Sequence, residues 1–287
     1  MFQRCIGPAC RLHAGDLGLG NLEGDGQGVA CLGRCDVPVA AEAHGRSLTI
    51  VRRGAIEPSS PAPLPRQPAA TVLLRDAAFA DQLTLEAARR RGAWRAAAVL
   101  GATAARDLVA LLPSRAEAPA HAFAGRVLCE RDPHLVFEGA AVIGRAEATP
   151  HLAVRVPAAW IDARAALGRA AAEARDADLA GELSCDRGVD PVRAARLGRA
   201  AQLGVDWYER HLTLVCAVSG DVLRPGVYEL PAGASVADAL AAAGGAVEGV
   251  CIATAARFDC DGETVGDAAA PAPRALVVYR STRDAIC

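Results

Sequence analysis

An α/β chain of three modules is predicted by three observations in this sequence. Two close cysteine pairs occupy the first 35 residues. A proline-rich run separates them from a stretch in which strand-like and helix-like patterns alternate. The last 79 or so residues then change to a short strand–turn–strand–helix–strand pattern, the signature of a small β-grasp-like module. These features divide the chain into a cysteine-bearing module at 1–55, a connector at 56–70, an α/β module at 71–208 and the β-grasp-like module at 209–287.

The connector, Ile56-Glu-Pro-Ser-Ser-Pro-Ala-Pro-Leu-Pro-Arg-Gln-Pro68, is rich in prolines that favour an extended, semi-rigid path. Beyond it, Thr71–Leu74 reads as a short strand. Thr84 is placed to cap a helix from Leu85, Gly92 interrupts it, and a second stretch runs to Leu100. Thr103 reads as the cap of a helix that Pro113 stops. Asp132-Pro133 supplies a cap and a first-turn proline for a helix through Gly144. His151–Val156 alternates as a strand, Pro157 opens an Ala-rich helix to about Ala174, and Pro191 opens another ending near Gly204. In the last module Leu212–Val218, Val227–Leu230 and Ala275–Tyr279 read as strands. Ser235 caps a helix over Val236–Ala243 that Gly244-Gly245 ends.

Composition bounds the function. Of 287 residues, 52% are hydrophobic and 22% charged, which is globular rather than disordered. Aromatics are only 4%, so the core rests on aliphatic side chains and close backbone packing. Lysine is absent, the net charge is −2, and no basic block occurs. Nucleic acid is therefore not the expected partner. No apolar run reaches bilayer length and the start lacks the apolar core of a secretory signal. The expectation is a cytoplasmic protein without direct membrane insertion, where paired cysteines bind metal more often than they form disulfides.

Cys5-Ile-Gly-Pro-Ala-Cys10 and Cys31-Leu-Gly-Arg-Cys35 are the candidate metal ligands. Four thiolates on tight loops suit a single iron–sulfur cluster, and the adjacent Gly7, Pro8 and Gly33 permit such loops. Zinc more often uses an x2 hook, but zinc, disulfides and four merely buried thiols stay open on the residues alone. The six other cysteines are scattered singly; Cys216, in an apolar strand, reads as a small buried hydrophobe. His13 reads as a loop histidine, and Gly15-Asp-Leu-Gly-Leu-Gly20 lacks the strand that a phosphate loop would follow. His134 and Glu138 share a helical face and read as packing groups. Trp207 and Tyr208 read as aromatic core anchors, and no acid/base dyad is proposed.

The two cysteine pairs, followed by Val37-Pro-Val and a hairpin turning at His44-Gly45, resemble the thioredoxin-like [2Fe–2S] subunit of complex I-type NADH dehydrogenases. The same subunit type occurs in NAD-linked hydrogenases and formate dehydrogenases. The resemblance implies a [2Fe–2S] cluster on Cys5, Cys10, Cys31 and Cys35, in a domain truncated between the pairs. The remainder resembles the flavin-bearing partner subunit, through Gly125-Arg-Val-Leu-Cys-Glu-Arg-Asp-Pro-His-Leu-Val-Phe-Glu-Gly139 and Val205-Asp-Trp-Tyr208. It continues through Val218-Ser-Gly-Asp-Val-Leu-Arg-Pro-Gly-Val-Tyr-Glu-Leu230, specific for that family's soluble-ligand-binding β-grasp domain. Several of that subunit's elements are missing. No glycine lies between Leu112 and Phe123, where its FMN phosphate loop belongs, and Arg187-Gly-Val-Asp190 stands where paired asparagines are expected. The expectation is a degenerate flavin-subunit domain without FMN or NADH, and a non-catalytic electron-transfer or scaffold subunit. Its partners would be other subunits of a dehydrogenase- or hydrogenase-type redox complex. An active NADH:acceptor flavoprotein and a purely structural subunit without a cluster are the alternatives.

Overall fold

The computed structural model describes residues 2–5, 10, 14, 17, 27–29, 32, 34, 37, 39–52, 55–59, 64–68, 71–78, 83–112, 122–245, 250–254, 272 and 275–280. By internal contacts, 1–70, 118–124 and 214–287 form one compact unit, and 71–117 with 125–213 form a second.

In the first unit β1 (Phe2–Cys5) lies parallel to β2 (Gln27–Val29) and antiparallel to β3 (Ala40–Ala43). His44 and Gly45, at φ 51° and 75°, make a two-residue turn into β4 (Arg46–Arg52). Positive φ at both positions is what a hairpin turn of matching twist requires. The connector begins as β5 (Ala55–Pro58), antiparallel to β4, and completes the order β2-β1-β3-β4-β5. Pro58 sits on this edge strand, where a missing N–H does no harm.

The second unit is mainly helical. Thr84 caps α1 (Leu85–Arg90), its hydroxyl accepting from Ala87 N at 3.3 Å. After Gly92 (φ 102°) comes α2 (Arg95–Val99), entered through Trp94 in the left-handed region. The next helix, α3 (Ala102–Leu111), is capped by the extended backbone of Gly101, not by Thr103. Thr103 lies inside the first turn, and its hydroxyl meets Arg106. Thr71–Leu74 is not a strand but a run of bends and turns, although Val72, Leu73 and Leu74 are buried. A short apolar run buried on all sides has no periodicity to separate strand from irregular core.

Two helices follow directly: α4 (Ala122–Arg131) and α5 (Pro133–Ala146), divided by Asp132, whose carboxylate accepts from Leu135 N. α5 is the central element, buried from Pro133 to Val142. A turn at Pro157–Trp160 separates β6 (Leu152–Val154) from α6 (Ile161–Asp176), so the helix starts a turn later than Pro157 suggested. β7 (Leu183–Val189) pairs parallel with β6. Asp190 then caps α7 (Pro191–Leu203), which packs along α5, and α8 (Val205–Arg210) closes the unit.

The C-terminal part of the first unit holds β8 (Thr213–Gly220), β9 (Gly226–Pro231), α9 (Val236–Ala242), β10 (Val250–Thr254) and β11 (Ala275–Arg280). Strand order is β10-β11-β8-β9, with β11 parallel to β8 and antiparallel to β10. Ser235 and Asp238 form a reciprocal capping box on α9, and the Ser235 N–H holds the Asp238 carboxyl below its ordinary range. Cys216, Val218, Tyr228, Leu230, Val236, Ala239 and Leu276 form the core between sheet and helix.

Candidate functional site

Cys5 ends β1 and is 4% exposed; Cys10 is 2% exposed. The parallel register sets Cys5 opposite Val29, two positions before Cys31 in sequence. Leu32, which follows Cys31, is fully buried, and its backbone N–H donates to Cys5 Sγ at 3.4 Å. Leu32, the neighbour of Cys31 in sequence, is therefore tied to Cys5. An amide aimed at sulfur stabilises the thiolate, the form that binds metal. Arg34, two residues past Leu32, is also buried. Cys31 and Cys35 themselves lie outside the described residues, as do His13, Gly15 and the segment 113–121 where the phosphate loop was sought. Among the described residues no three His, Cys, Asp or Glu side chains gather as a metal site.

The other described thiols are of a different kind. Cys216 is fully buried in the β8 core, and burial pushes its thiol up to about 12. Burial, reinforced by Asp190, Glu130 and Cys185, raises the Cys129 thiol well above its ordinary value. Both are neutral groups at physiological pH.

A buried polar network runs through the second unit, and of its members the sequence singled out His134, Glu138 and, as a helix cap, Asp132. Glu138 is fully buried; Oε1 accepts from Trp94 N at 2.9 Å and Oε2 from Gln202 Nε2 at 2.6 Å. Arg199 Nη1 donates to Gln202 Oε1 (2.6 Å) and Asp76 Oδ2 (2.9 Å), and Nη2 lies 3.5 Å from Asp132. Trp94 Nε1 donates to His134 Nδ1 at 3.4 Å, which leaves the ring proton on Nε2, facing Glu173 at 3.4 Å. Burial, aided by Arg89, lowers the His134 pKa against the pull of Glu173 and keeps the ring neutral. Glu138 thus grips the strained Trp94 backbone and His134 its indole N–H, both as packing groups.

Burial outweighs the two hydrogen bonds at Glu138 and raises its carboxyl from an ordinary 4.5 to about 7. A raised folded pKa gives stability that is full below 4.5 and lost as pH rises through about 7. Glu138→Gln is expected to flatten that part of the stability–pH curve, by up to roughly 3 kcal/mol at 1.36 kcal/mol per pK unit. Urea titrations of both proteins on either side of the window check this; parallel curves would refute it.

The parallel β6–β7 pair ends at a recess of about 400 Å³ that includes His151, Arg155, Gly188, Asp190 and Arg193. A Cβ on Gly188 (φ 129°) would lie 2.2 Å from the Ala153 carbonyl oxygen, so the two backbones close on each other there. Asp190 Oδ1 accepts from Val192 N and Arg193 N, satisfying the first amides of α7. Tyr208 is buried as expected, whereas Trp207 is 36% exposed and stacks on His211 at 4.0 Å. A six-residue helix has one buried face, and Tyr208 occupies it.

Fold and site together define a mixed α/β protein with a β-grasp-like C-terminal part, buried N-terminal cysteines and, among the described residues, no helix long and apolar enough to cross a membrane. Comparison sharpens this. Residues 215–255, from β8 to just past β10, match the family model of the SLBB domain. Among solved structures, the chain resembles an NAD+-reducing [NiFe]-hydrogenase in the air-oxidised state, at 16% identity and a TM-score of 0.55. The H2-reduced state gives 14% identity and a TM-score of 0.57. Each likeness covers 99% of this chain and 69% of the other, and at such identities it concerns the fold. No curated protein matches.

Proposed function

We propose that this chain is a non-catalytic electron-transfer and scaffold subunit of a cytoplasmic redox complex of hydrogenase or dehydrogenase type. Cys5, Cys10, Cys31 and Cys35 hold one [2Fe–2S] cluster in this reading. The carrying observation is the Leu32 N–H donated to the buried Cys5 sulfur, beside Cys31 in sequence. The strand order β2-β1-β3-β4, a parallel pair followed by an antiparallel hairpin, supports the thioredoxin-like reading of the cysteine module. The fold likeness to chains of an NAD+-reducing [NiFe]-hydrogenase, over nearly the whole sequence, supports a place in a complex of that kind.

When bound, the cluster supplies one-electron chemistry. The protein's contribution is to aim N–H dipoles such as that of Leu32 at sulfur, which favours the reduced, more negative state and opposes the penalty of burying the thiolates. The β-grasp-like part and the helical unit serve as docking surfaces. Protein purified anaerobically is expected to contain iron and acid-labile sulfide in equal amounts and to show the visible absorption of a [2Fe–2S] centre. Cys5→Ser and Cys31→Ser should each abolish both. Wild-type protein without iron would sink the cluster, and FMN retained on purification would favour an active flavoprotein instead.

A further inference from the structure

Two buried charges of opposite sign lie beside Cys5. In the antiparallel β1–β3 pair Arg4 stands opposite Ala41. Side chains alternate along a strand, and residues directly opposite share a face. Cys5 and Glu42, each one step on from that pair, therefore leave the sheet on its other face. They are diagonal neighbours, about 7–8 Å apart at the backbone. Glu42 is 3% exposed, as deeply placed as Cys5 itself.

The cation comes with the Leu32 amide, whose nitrogen is 3.4 Å from Cys5 Sγ. Arg34 follows two residues later, between Cys31 and Cys35 in sequence, and is 4% exposed. Two residues of chain span at most about 7 Å, which keeps the Arg34 backbone within roughly 12 Å of the Cys5 sulfur. A guanidinium stays charged at every pH a folded protein tolerates. Buried charges are screened little by salt. At about 12 Å and an effective dielectric of about 20, one unit charge changes a one-electron equilibrium about tenfold. Both side chains have further contacts. Replacing either one removes a single charge and leaves those neighbours in place, so the tenfold scale does not depend on what they are.

On the cluster reading above, we propose that Arg34 and Glu42 set the reduction potential of that site in opposite senses, Arg34 raising it and Glu42 lowering it. Reduction adds one electron, and with it one negative charge, to a site of four thiolates; no bond or proton is exchanged. The cation offsets that charge and the carboxylate opposes it. The test is a mediated titration of the anaerobically purified full chain, with dithionite as electron donor, followed by visible absorption and by the paramagnetic signal of the reduced centre. Arg34→Met should make reduction about tenfold less favourable, a potential about 59 mV lower for one electron. Arg34→Lys keeps the charge and should recover most of that loss. Glu42→Gln should move the potential the other way by a similar factor. If Arg34→Met does not assemble the centre, Arg34→Gln, polar but uncharged, is read in its place. Iron and sulfide are measured on every sample. Wild-type protein without a cluster overturns the cluster reading and this inference with it. A cluster whose potential stays put in the neutral Arg34 variant or in Glu42→Gln, or shifts with the same sign in both, overturns this inference alone.

Discussion

Gly139→Ala is expected to cost the second unit at least about 4 kcal/mol, at the exceptional end for a single substitution. A Cβ at Gly139 would stand 1.7 Å from the carbonyl oxygen of Ala194 and 2.5 Å from its carbon. Both are backbone atoms of α7, so no side-chain rotation relieves the clash. The contact is mutual: a Cβ at Gly198 would meet the Leu135 carbonyl oxygen at 2.5 Å. Glycines on both helices are thus what brings α5 and α7 together, and the polar network depends on that spacing. Forcing them apart opens voids along the buried face of α5, and a loss of this size is a large share of a typical domain's 5–15 kcal/mol, roughly. Gly168→Ala in α6 is the control, since a Cβ there meets nothing within 4 Å and helix propensity favours alanine by about 1 kcal/mol. Chemical denaturation of the two variants should move in opposite directions. A Gly139→Ala protein within about 1 kcal/mol of wild type would show that the helices do not pack this closely.

Arg199→Met is expected to destabilise by about 3–5 kcal/mol, because it strands carboxylates rather than because it loses an attraction. Arg199 is 0% exposed and serves Asp76 and Gln202 directly, with Asp132 at 3.5 Å. Burial pushes the Asp76 carboxyl up, but Arg75 and Arg199 together overcome it and hold the group below its ordinary 3.8. A lowered folded pKa contributes stability that is present above 3.8 and lost as pH falls through the folded value. Without Arg199 that contribution shrinks, while Asp132 and Glu138 lose the same cation. Methionine fills the volume, so the deficit reads charge rather than cavity. It should therefore narrow as the medium is acidified and the stranded carboxylates take up protons. Asp76→Asn on the Arg199→Met background should recover part of the loss. A deficit that does not change with pH would assign it to packing instead.

Local signals in the sequence were reliable where one residue satisfies a neighbouring backbone. Thr84, Asp132 and Ser235 each cap the helix anticipated for them, and His44-Gly45 turns its hairpin. These bonds close within a few residues, so spacing alone reveals them. Elements whose reason for existing lies elsewhere in the chain were not visible. β7 and β10 have partners far away in sequence, and α4 has a weak pattern that burial against distant residues makes helical. Gly101 capped α3 in place of Thr103 because an extended backbone suffices there. Trp207 turned outward because Tyr208 took the one buried face of a short helix.

The candidate site divides in the same way. The x4 and x3 spacings of Cys5, Cys10, Cys31 and Cys35, the connector and the β-grasp-like pattern all belong to the sequence, because ligand type and spacing are chemical facts independent of folding. That Leu32 delivers its N–H to Cys5, that Glu138 and His134 grip Trp94, and that Gln67 accepts the Glu229 N–H of β9 are decisions of the tertiary structure. Each joins groups 27 to 162 residues apart, and each has value only once water is gone. A chain's pattern can specify which groups it carries. Only packing specifies which of them meet in a medium of low dielectric, where one hydrogen bond or one stranded charge decides the outcome.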